Sequence, residues 1–131
     1  MCYNRNCRIK ITSLIDGTLS TVTVQGKVIK SPSDIRFDYT LDGDKCTFTL
    51  TDSEAVQSRE GEQNIKMTFR KGEKAECLLG SGGFEGTFPV YTHELIKKES
   101  AKDLILKIIY TIGEQQVELN FSAQYKYKEK Q

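Results

Sequence analysis

A strict alternation of apolar and polar residues is the feature that most constrains what this chain can fold into. It is clearest in residues 115–128, where one parity is apolar or aromatic and the other is polar or charged. A period of two is typical of a β-strand with one face toward a core, whereas an amphipathic helix repeats every 3.6 residues. The segment therefore predicts a half-buried strand. Its inward parity comprises Val117, Leu119, Phe121, Ala123, Tyr125 and Tyr127.

The same alternation recurs along the whole chain, and short turn sequences separate the repeats. Asp16-Gly17 divides residues 8–15 from 18–30, as expected for a tight hairpin turn. Gly26 interrupts the second of these segments and suggests a bulge or a bend. The remaining strands are predicted at 34–41, 45–51, 55–59, 63–70, 74–79, 87–97, 104–112 and 115–128.

Two segments depart from the regular pattern. Pro89 lies inside the predicted strand 87–97, which places that strand at an edge or a bend of the sheet. Residues 92–103 alone have helical composition, but Leu95 and Ile96 make no sustained apolar stripe. We expect at most one short turn of helix there.

The predicted fold is an all-β, antiparallel, up-and-down barrel of about eight to ten strands. Short turns imply antiparallel neighbours, and a sheet of so many strands must close or split to hide its edges. A two-sheet β-sandwich is the alternative. The chain of 131 residues suits one domain, which we expect at 8–128, with a frayed N-terminus at 1–7 and a C-terminal tail at 129–131.

Charge and cysteine content exclude several classes of partner. Nineteen lysines and arginines nearly balance eighteen aspartates and glutamates, which indicates neither nucleic-acid nor membrane binding. The beginning of the chain lacks an apolar signal segment, so we expect a cytoplasmic protein with free thiols. Cys46 and Cys77 have core parity, whereas Cys2 and Cys7 are expected to be exposed.

Four stretches together resemble the YwiB-like family of small, uncharacterised bacterial proteins. They are the hairpin opening at 9–17 (IKITSLIDG), the segment at 65–69 (IKMTF), the element at 86–92 (GTFPVYT) and the long alternating C-terminal strand. The chain departs from the family pattern in its cysteine-bearing start and in the insert at 81–84. The resemblance implies a calycin-like, lipocalin-like barrel. It implies no activity and no catalytic residues.

The glycine-rich stretch 80–86 suggests a phosphate-binding loop, but its spacing excludes one. Glu85 stands where a dinucleotide fingerprint needs its third glycine, and no Gly-Lys-Ser/Thr sequence follows. The stretch is interpreted instead as a flexible loop between strands. Phe84 would be the apolar tip of a mobile lid, and any ligand-binding mouth of the barrel is expected beside this loop.

No catalytic or metal-binding constellation is recognisable. His93 is the single histidine, and neither Cys46 nor Cys77 stands near it in a known signature. Cys2 and Cys7 resemble only one half of a zinc knuckle. We therefore expect no metal, no cofactor and no enzymatic activity.

The interior of the barrel is the most plausible site for a function. A barrel of eight or more strands can be filled by side chains or can hold one small ligand, and both alternatives stay open. We predict a small, partly apolar ligand. Its candidate contacts are Tyr39, Tyr110, Tyr125 and Phe84, among the inward rings of Phe37, Phe48, Phe69 and Phe121.

A second hypothesis is a protein-interaction or assembly module. Ile105 and Ile109 have the parity of the outer face in the predicted strand 104–112, where apolar residues are unexpected. They suggest cover by a loop or by a second subunit in a homodimer. An unpaired edge near Pro89 is the other candidate surface.

Overall fold

Ten antiparallel β-strands form the protein in its computed structural model, which describes residues 3–81 and 84–126. The segments of clear alternation are strands, and the weaker segments at 55–59 and 87–97 are strands as well. The elements are β1 Tyr3–Ile15, β2 Thr18–Lys30, β3 Ile35–Leu41, β4 Asp44–Leu50, β5 Ala55–Glu60, β6 Gln63–Phe69, β7 Lys74–Ser81, β8 Phe84–Glu99, β9 Asp103–Ile112 and β10 Gln115–Tyr125.

The strands close into a single up-and-down barrel. Each strand pairs with its neighbours in the sequence, and β1 pairs with β10 from Cys7↔Tyr125 to Ile15↔Val117. This last pairing excludes the two-sheet sandwich, because a sandwich would leave two separate sheets. The prediction of an antiparallel up-and-down barrel is confirmed.

Two of the hairpin turns follow directly from their residues. Asp16 and Gly17 both have positive φ angles, 49° and 77°, and so do Asp42 and Gly43, at 52° and 84°. Asp tolerates this left-handed conformation better than most residues and Gly adopts it freely, so Asp-Gly favours a turn that matches the twist of the strands. The connections β1–β2 and β3–β4 are therefore encoded locally.

The core occupies the interior, and the inward parity of each strand supplies it. Phe121 lies at its centre, with ring centroids 5.1 Å from Phe37, 4.8 Å from Phe48 and 6.4 Å from Tyr39. Phe69 packs against Tyr110 at 4.8 Å. These six aromatic side chains were predicted to face inward, and all of them are buried.

Three predictions about the chain's irregular parts need correction. Residues 3–7, expected to be frayed, belong to β1 and pair with β2, and Cys7 is buried rather than exposed. This pairing was not predicted, because residues 3–7 are mostly polar and lack the apolar–polar alternation that identified the other strands. Residues 80–86 do not form a long loop, since Gly80 pairs with Glu85 and Leu79 with Gly86 in a β7–β8 hairpin. Gly82 and Gly83 lie outside the described residues, as does Cys2.

Gly26 marks a close approach rather than a bulge. The β1–β2 register runs without interruption through Cys7↔Gly26, and the β2–β3 pairing ends at Gly26↔Tyr39. A Cβ atom on Gly26 would stand 2.6 Å from the backbone oxygen of Asp38 and 2.7 Å from Cδ1 of Ile9. Because Gly26 has no side chain, β2 and β3 can approach closely at the last residue pair before the two strands diverge.

The strand β8 is irregular, as its proline suggested. Its register against β9 shifts between Thr92 and Glu94. It faces β9 only from Val90 onward, so residues 84–89, which include Pro89, lack a partner on that side in the described structure. Residues 92–99 are extended and contain no helical turn.

Candidate functional site

A groove of about 880 Å³ crosses four neighbouring strands at the end of the barrel where β5 turns into β6 and β7 into β8. Each strand contributes three successive residues, and none of these residues is fully buried. The groove is thus open to solvent, although one of its lining residues, Ile65, also packs against the core. Its lining comprises Ser58, Arg59, Glu60, Asn64, Ile65, Lys66, Leu78, Leu79, Gly80, Glu85, Gly86 and Thr87.

The register explains how these residues come together. Ser58 pairs with Lys66, Lys66 with Leu78 and Leu78 with Thr87, so four side chains form one row across the strands. Leu78 is 46% exposed. The row therefore combines an apolar centre with hydroxyl groups and one ammonium group.

The second row of the groove is more polar. Asn64 pairs with Gly80 and Gly80 with Glu85, and Gly80 places no side chain between its neighbours. Both Gly80 and Glu85 belong to the glycine-rich stretch beside which the sequence predicted a binding mouth. The groove therefore adjoins this glycine-rich stretch.

Arg59, which lines the groove and has the inward parity of β5, belongs to a charged pair. Nε of Arg59 donates a hydrogen bond of 2.7 Å to Oδ2 of Asp44, and the two side chains form an ion pair. The hydrogen bond to Asp44 raises the pKa of Arg59. This ion pair fixes the end of β5 against the β3–β4 turn. The guanidinium group of Arg59 is therefore already bound by Asp44.

The three tyrosines predicted as ligand contacts are all buried, but they lie in different parts of the interior. Tyr39 pairs with Cys46, close to the β3–β4 turn, and it also lines a separate surface cavity of about 550 Å³. Tyr125 lies near the opposite end of the barrel. Its hydroxyl donates to Glu99 at 3.2 Å, and Nζ of Lys30 lies 4.5 Å from the centre of its ring. Tyr110 packs on Phe69.

The fourth predicted contact, Phe84, begins β8, but its side chain lies outside the described part of the structure. Ile105 and Ile109 do face outward from β9, as their parity indicated. Ile105 is 50% exposed, and Ile109 is half-buried. Ile105 borders a shallow depression of about 280 Å³ together with Thr23, Lys10 and Ser122.

Burial controls the ionisation of two of the tyrosines. It raises the pKa of Tyr39 and of Tyr110 from 10.0 to about 12, because an ionised phenolate loses its hydration inside the barrel. Cys46 adds to the effect on Tyr39 and Cys77 adds to the effect on Tyr110. Both hydroxyls therefore stay protonated over the physiological range and can act as hydrogen-bond donors.

An alkaline titration of the folded protein should show that Tyr39 and Tyr110 ionise late. Between pH 10 and 12 the unfolded chain releases protons that folded Tyr39 and Tyr110 retain. Their contribution to stability is therefore complete below pH 10 and is lost as the pH rises through this window. Phenolate absorbance should show a late step that Tyr39→Phe diminishes. A single titration of all tyrosines near pH 10 in the folded protein would contradict this expectation.

The thiols and the histidine occupy opposite faces of the barrel wall. Cys7, Cys46 and Cys77 are buried, and burial raises the pKa of each thiol, to about 11 for Cys7. The exposed His93 shares a hydrogen bond of 2.6 Å between Nε2 and the Thr111 hydroxyl. The structure therefore does not bring the histidine to Cys46 or Cys77.

The described residues are also informative about metals and membranes. Within residues 3–81 and 84–126, no three His, Cys, Asp or Glu side chains are grouped as metal ligands would be. The same residues include no helix of the length and apolar character that a bilayer crossing requires.

Comparison with known proteins shows which family the chain belongs to. A family model described as "Domain of unknown function (DUF1934)" matches residues 9–130. The chain belongs to this family. The matched residues span nearly all of the barrel, from β1 through β10, and include every residue that lines the groove.

A solved structure supports the fold of this family member. The crystal structure of ywiB protein from Bacillus subtilis is similar to this chain with a TM-score of 0.82 at 13% sequence identity, over 95% of this chain and 94% of that one. At this identity the likeness concerns the fold alone, and it confirms the resemblance to YwiB-like barrels. No curated protein matches the chain.

Sequence reasoning missed most of the groove. It located the Gly80–Glu85 region, but Ser58 and Lys66 are far from it in the chain, and Leu78, two residues before Gly80, was not singled out. The available signal was Leu78, an apolar residue at the outward parity of strand 74–79, next to the inward Cys77 and Leu79. This is the same kind of parity violation that drew attention to Ile105.

Proposed function

We propose that the protein is a non-enzymatic binding protein for a small, partly apolar molecule, and that the groove across β5–β8 is its site. The observation that carries the proposal is the exposed Leu78 in a surface groove of about 880 Å³. Ligand sites in proteins are concave, have volumes of about 300–1,000 Å³ and combine apolar surface with a few polar groups. The interior is less suitable, because its aromatic rings pack against one another.

The lining indicates the chemistry of the ligand. Lys66 offers a cation, Glu60 and Glu85 offer carboxylates, and Thr87 offers a hydroxyl near Leu78. These groups do not favour one sign of charge. An amphipathic molecule with an apolar body and both donor and acceptor groups fits them best.

The placement of the nucleophilic and basic groups supports a role without catalysis. The three described thiols point into the core and have raised pKa values, so they are poor nucleophiles at neutral pH. His93 lies on the exposed surface beside Tyr91 and Thr111, where water surrounds a reacting group.

The proposal is tested with the fluorescent amphiphile anilinonaphthalene sulfonate as the probe. Leu78→Glu puts a charge at the apolar centre of the groove, and we expect it to weaken probe binding by about tenfold, the loss of one good apolar contact. The matched control is Ile96→Glu on β8, since Ile96 is 42% exposed but lies outside the groove.

The measurements are a fluorescence titration and backbone amide shifts in the presence of the probe. We expect the shifts to cluster at Lys66, Leu78 and Thr87. Equal affinity in Leu78→Glu and Ile96→Glu, or shifts that cluster around Tyr39, Tyr110 and Tyr125 instead, would overturn the assignment of the site.

A further inference from the structure

Three stretches of six or more strand residues lack a neighbour on one side in the described part of the barrel. On β8, residues 84–89 have no partner on the side of β9, and residues 93–99 have none on the side of β7. On β2, pairing with β3 extends only from Gly26 to Lys30, so residues 18–25 have β1 on one side and no strand on the other. We call residues 18–25 the free β2 edge.

The two stretches on β8 carry the features that prevent edge-to-edge pairing. Pro89 cannot donate to a new strand, and Glu85 adds a charge to the same stretch. In the other stretch Glu94 forms an ion pair of 3.7 Å with Lys71, and Glu99 one of 2.6 Å with Lys30. Charges and proline on an edge discourage a second strand from docking.

The free β2 edge carries none of these features. It lies within residues 17–26, the longest run without a charged residue in the sequence, and it contains no proline. Five of its eight residues are threonine or valine, which favour strands. Most of the edge is exposed, and Leu19 is 65% exposed. An exposed, uncharged edge of this length is a template for a further strand.

The hairpin turn determines which backbone groups are available. Only two residues close the β1–β2 turn, so Ile15 and Thr18 are a hydrogen-bonded pair. Every second residue from Leu19 onward then directs its N–H and C=O groups away from β1. Thr21 and Thr23 are the central residues of this outward set.

We infer that the free β2 edge pairs antiparallel with the same edge of a second copy of this chain. A two-fold axis through Thr21 or Val22 keeps the core-facing residues of both copies on one face of the joined sheet. In such pairing, each residue lies opposite the same residue, or one nearby in the sequence, of the second copy. Like charges directly opposite each other would destabilise the pairing. The absence of charge in residues 17–26 suits this arrangement. A foreign strand that is selected by charge would find no charged group within the edge.

The inference goes beyond the proposed function, because the edge shares no residue with the groove. It also differs from a dimer through Ile105 and Ile109, whose side chains project from the outer face of β9. The oligomeric state of the full chain is measured by sedimentation velocity over a range of concentrations. We expect a reversible monomer–dimer equilibrium of the 14.9 kDa chain.

Two variants of one residue test the edge. Thr21→Pro removes an N–H that points away from β1, and Thr21→Lys keeps the N–H but places like charges near the two-fold axis. Each should weaken dimerisation at least tenfold, while thermal unfolding of the Lys variant shows that the barrel itself is intact. Thr12→Lys is the matched control, since Thr12 pairs with Thr21 and lies on the same face but on β1, which has partners on both sides.

The outcomes are distinct. A wild-type chain that stays monomeric at its highest soluble concentration would overturn the inference, as would a folded Thr21→Lys variant that dimerises like the wild type. Dissociation by Ile105→Lys with no effect of Thr21→Lys would assign the interface to the outer face of β9 instead. Loss of probe binding in Leu78→Glu without any change in mass would leave the dimer inference standing and concern only the groove.

Discussion

Replacing Phe121 with alanine should destabilise the barrel severely. Phe121 is 0% exposed, and its ring contacts those of Phe37, Phe48 and Tyr39, which come from two other strands. Truncation removes these contacts and leaves a cavity that rigid strands cannot close. We expect the free energy of unfolding to fall by about 3–5 kcal/mol, a large part of the roughly 5–15 kcal/mol typical of a domain.

Urea unfolding followed by circular dichroism measures this effect. The control is Ile105→Ala, which removes a 50% exposed side chain from the outer face and should change the stability by no more than about 0.5 kcal/mol. Phe121→Leu should lie between the two. Similar losses in Phe121→Ala and Ile105→Ala would show that the interior is not closely packed around this ring.

The second large effect is expected from the smallest substitution, Gly26→Ala. The added methyl group would overlap the backbone oxygen of Asp38 and Cδ1 of Ile9, and the Cβ of Tyr39 is only 3.1 Å away. Of these, the backbone oxygen cannot move without displacing β3. Overpacking of this kind costs about 1–3 kcal/mol.

The loss of stability in Gly26→Ala should be large and should be concentrated near the substituted residue. Amide hydrogen exchange in Gly26→Ala should be faster at the end of the β2–β3 pairing near Tyr39 than in β9 and β10. Ser20→Ala serves as the control, since it introduces the same methyl-bearing residue at an exposed position of the same strand. If both variants unfold at the same urea concentration, the close approach at Gly26 has no energetic weight.

Much of the fold was predictable from local patterns, because hairpins are encoded by neighbouring residues. The Asp-Gly turns and the period-two alternation identified the strands, and Phe121 was assigned to the core by parity alone. Other features depend on distant partners. Residues 3–7 are mostly polar, and they join β1 because β2 provides a matching edge. The role of Gly26 required the position of Asp38.

The candidate site was less predictable for the same reason. Gly80 and Glu85 were singled out by composition, but the groove depends on the register that sets Lys66 beside Leu78. Tyr39, Tyr110 and Tyr125 were correctly predicted to face inward, yet parity cannot show where along the barrel a side chain lies. Tyr39 and Tyr125 share a parity and lie toward opposite ends.

The pairing of β1 with β10 has a consequence for synthesis of the chain. Every other contact between neighbouring strands joins elements that leave the ribosome one after another, so each hairpin can form as soon as it emerges. The seam between β1 and β10 joins the barrel strand that is translated first to the barrel strand that is translated last. Until Tyr125 has emerged, the nascent protein is an open sheet whose two edges, β1 and β9, are exposed to solvent or to chaperones. The final strand therefore completes the core and removes both edges in a single step.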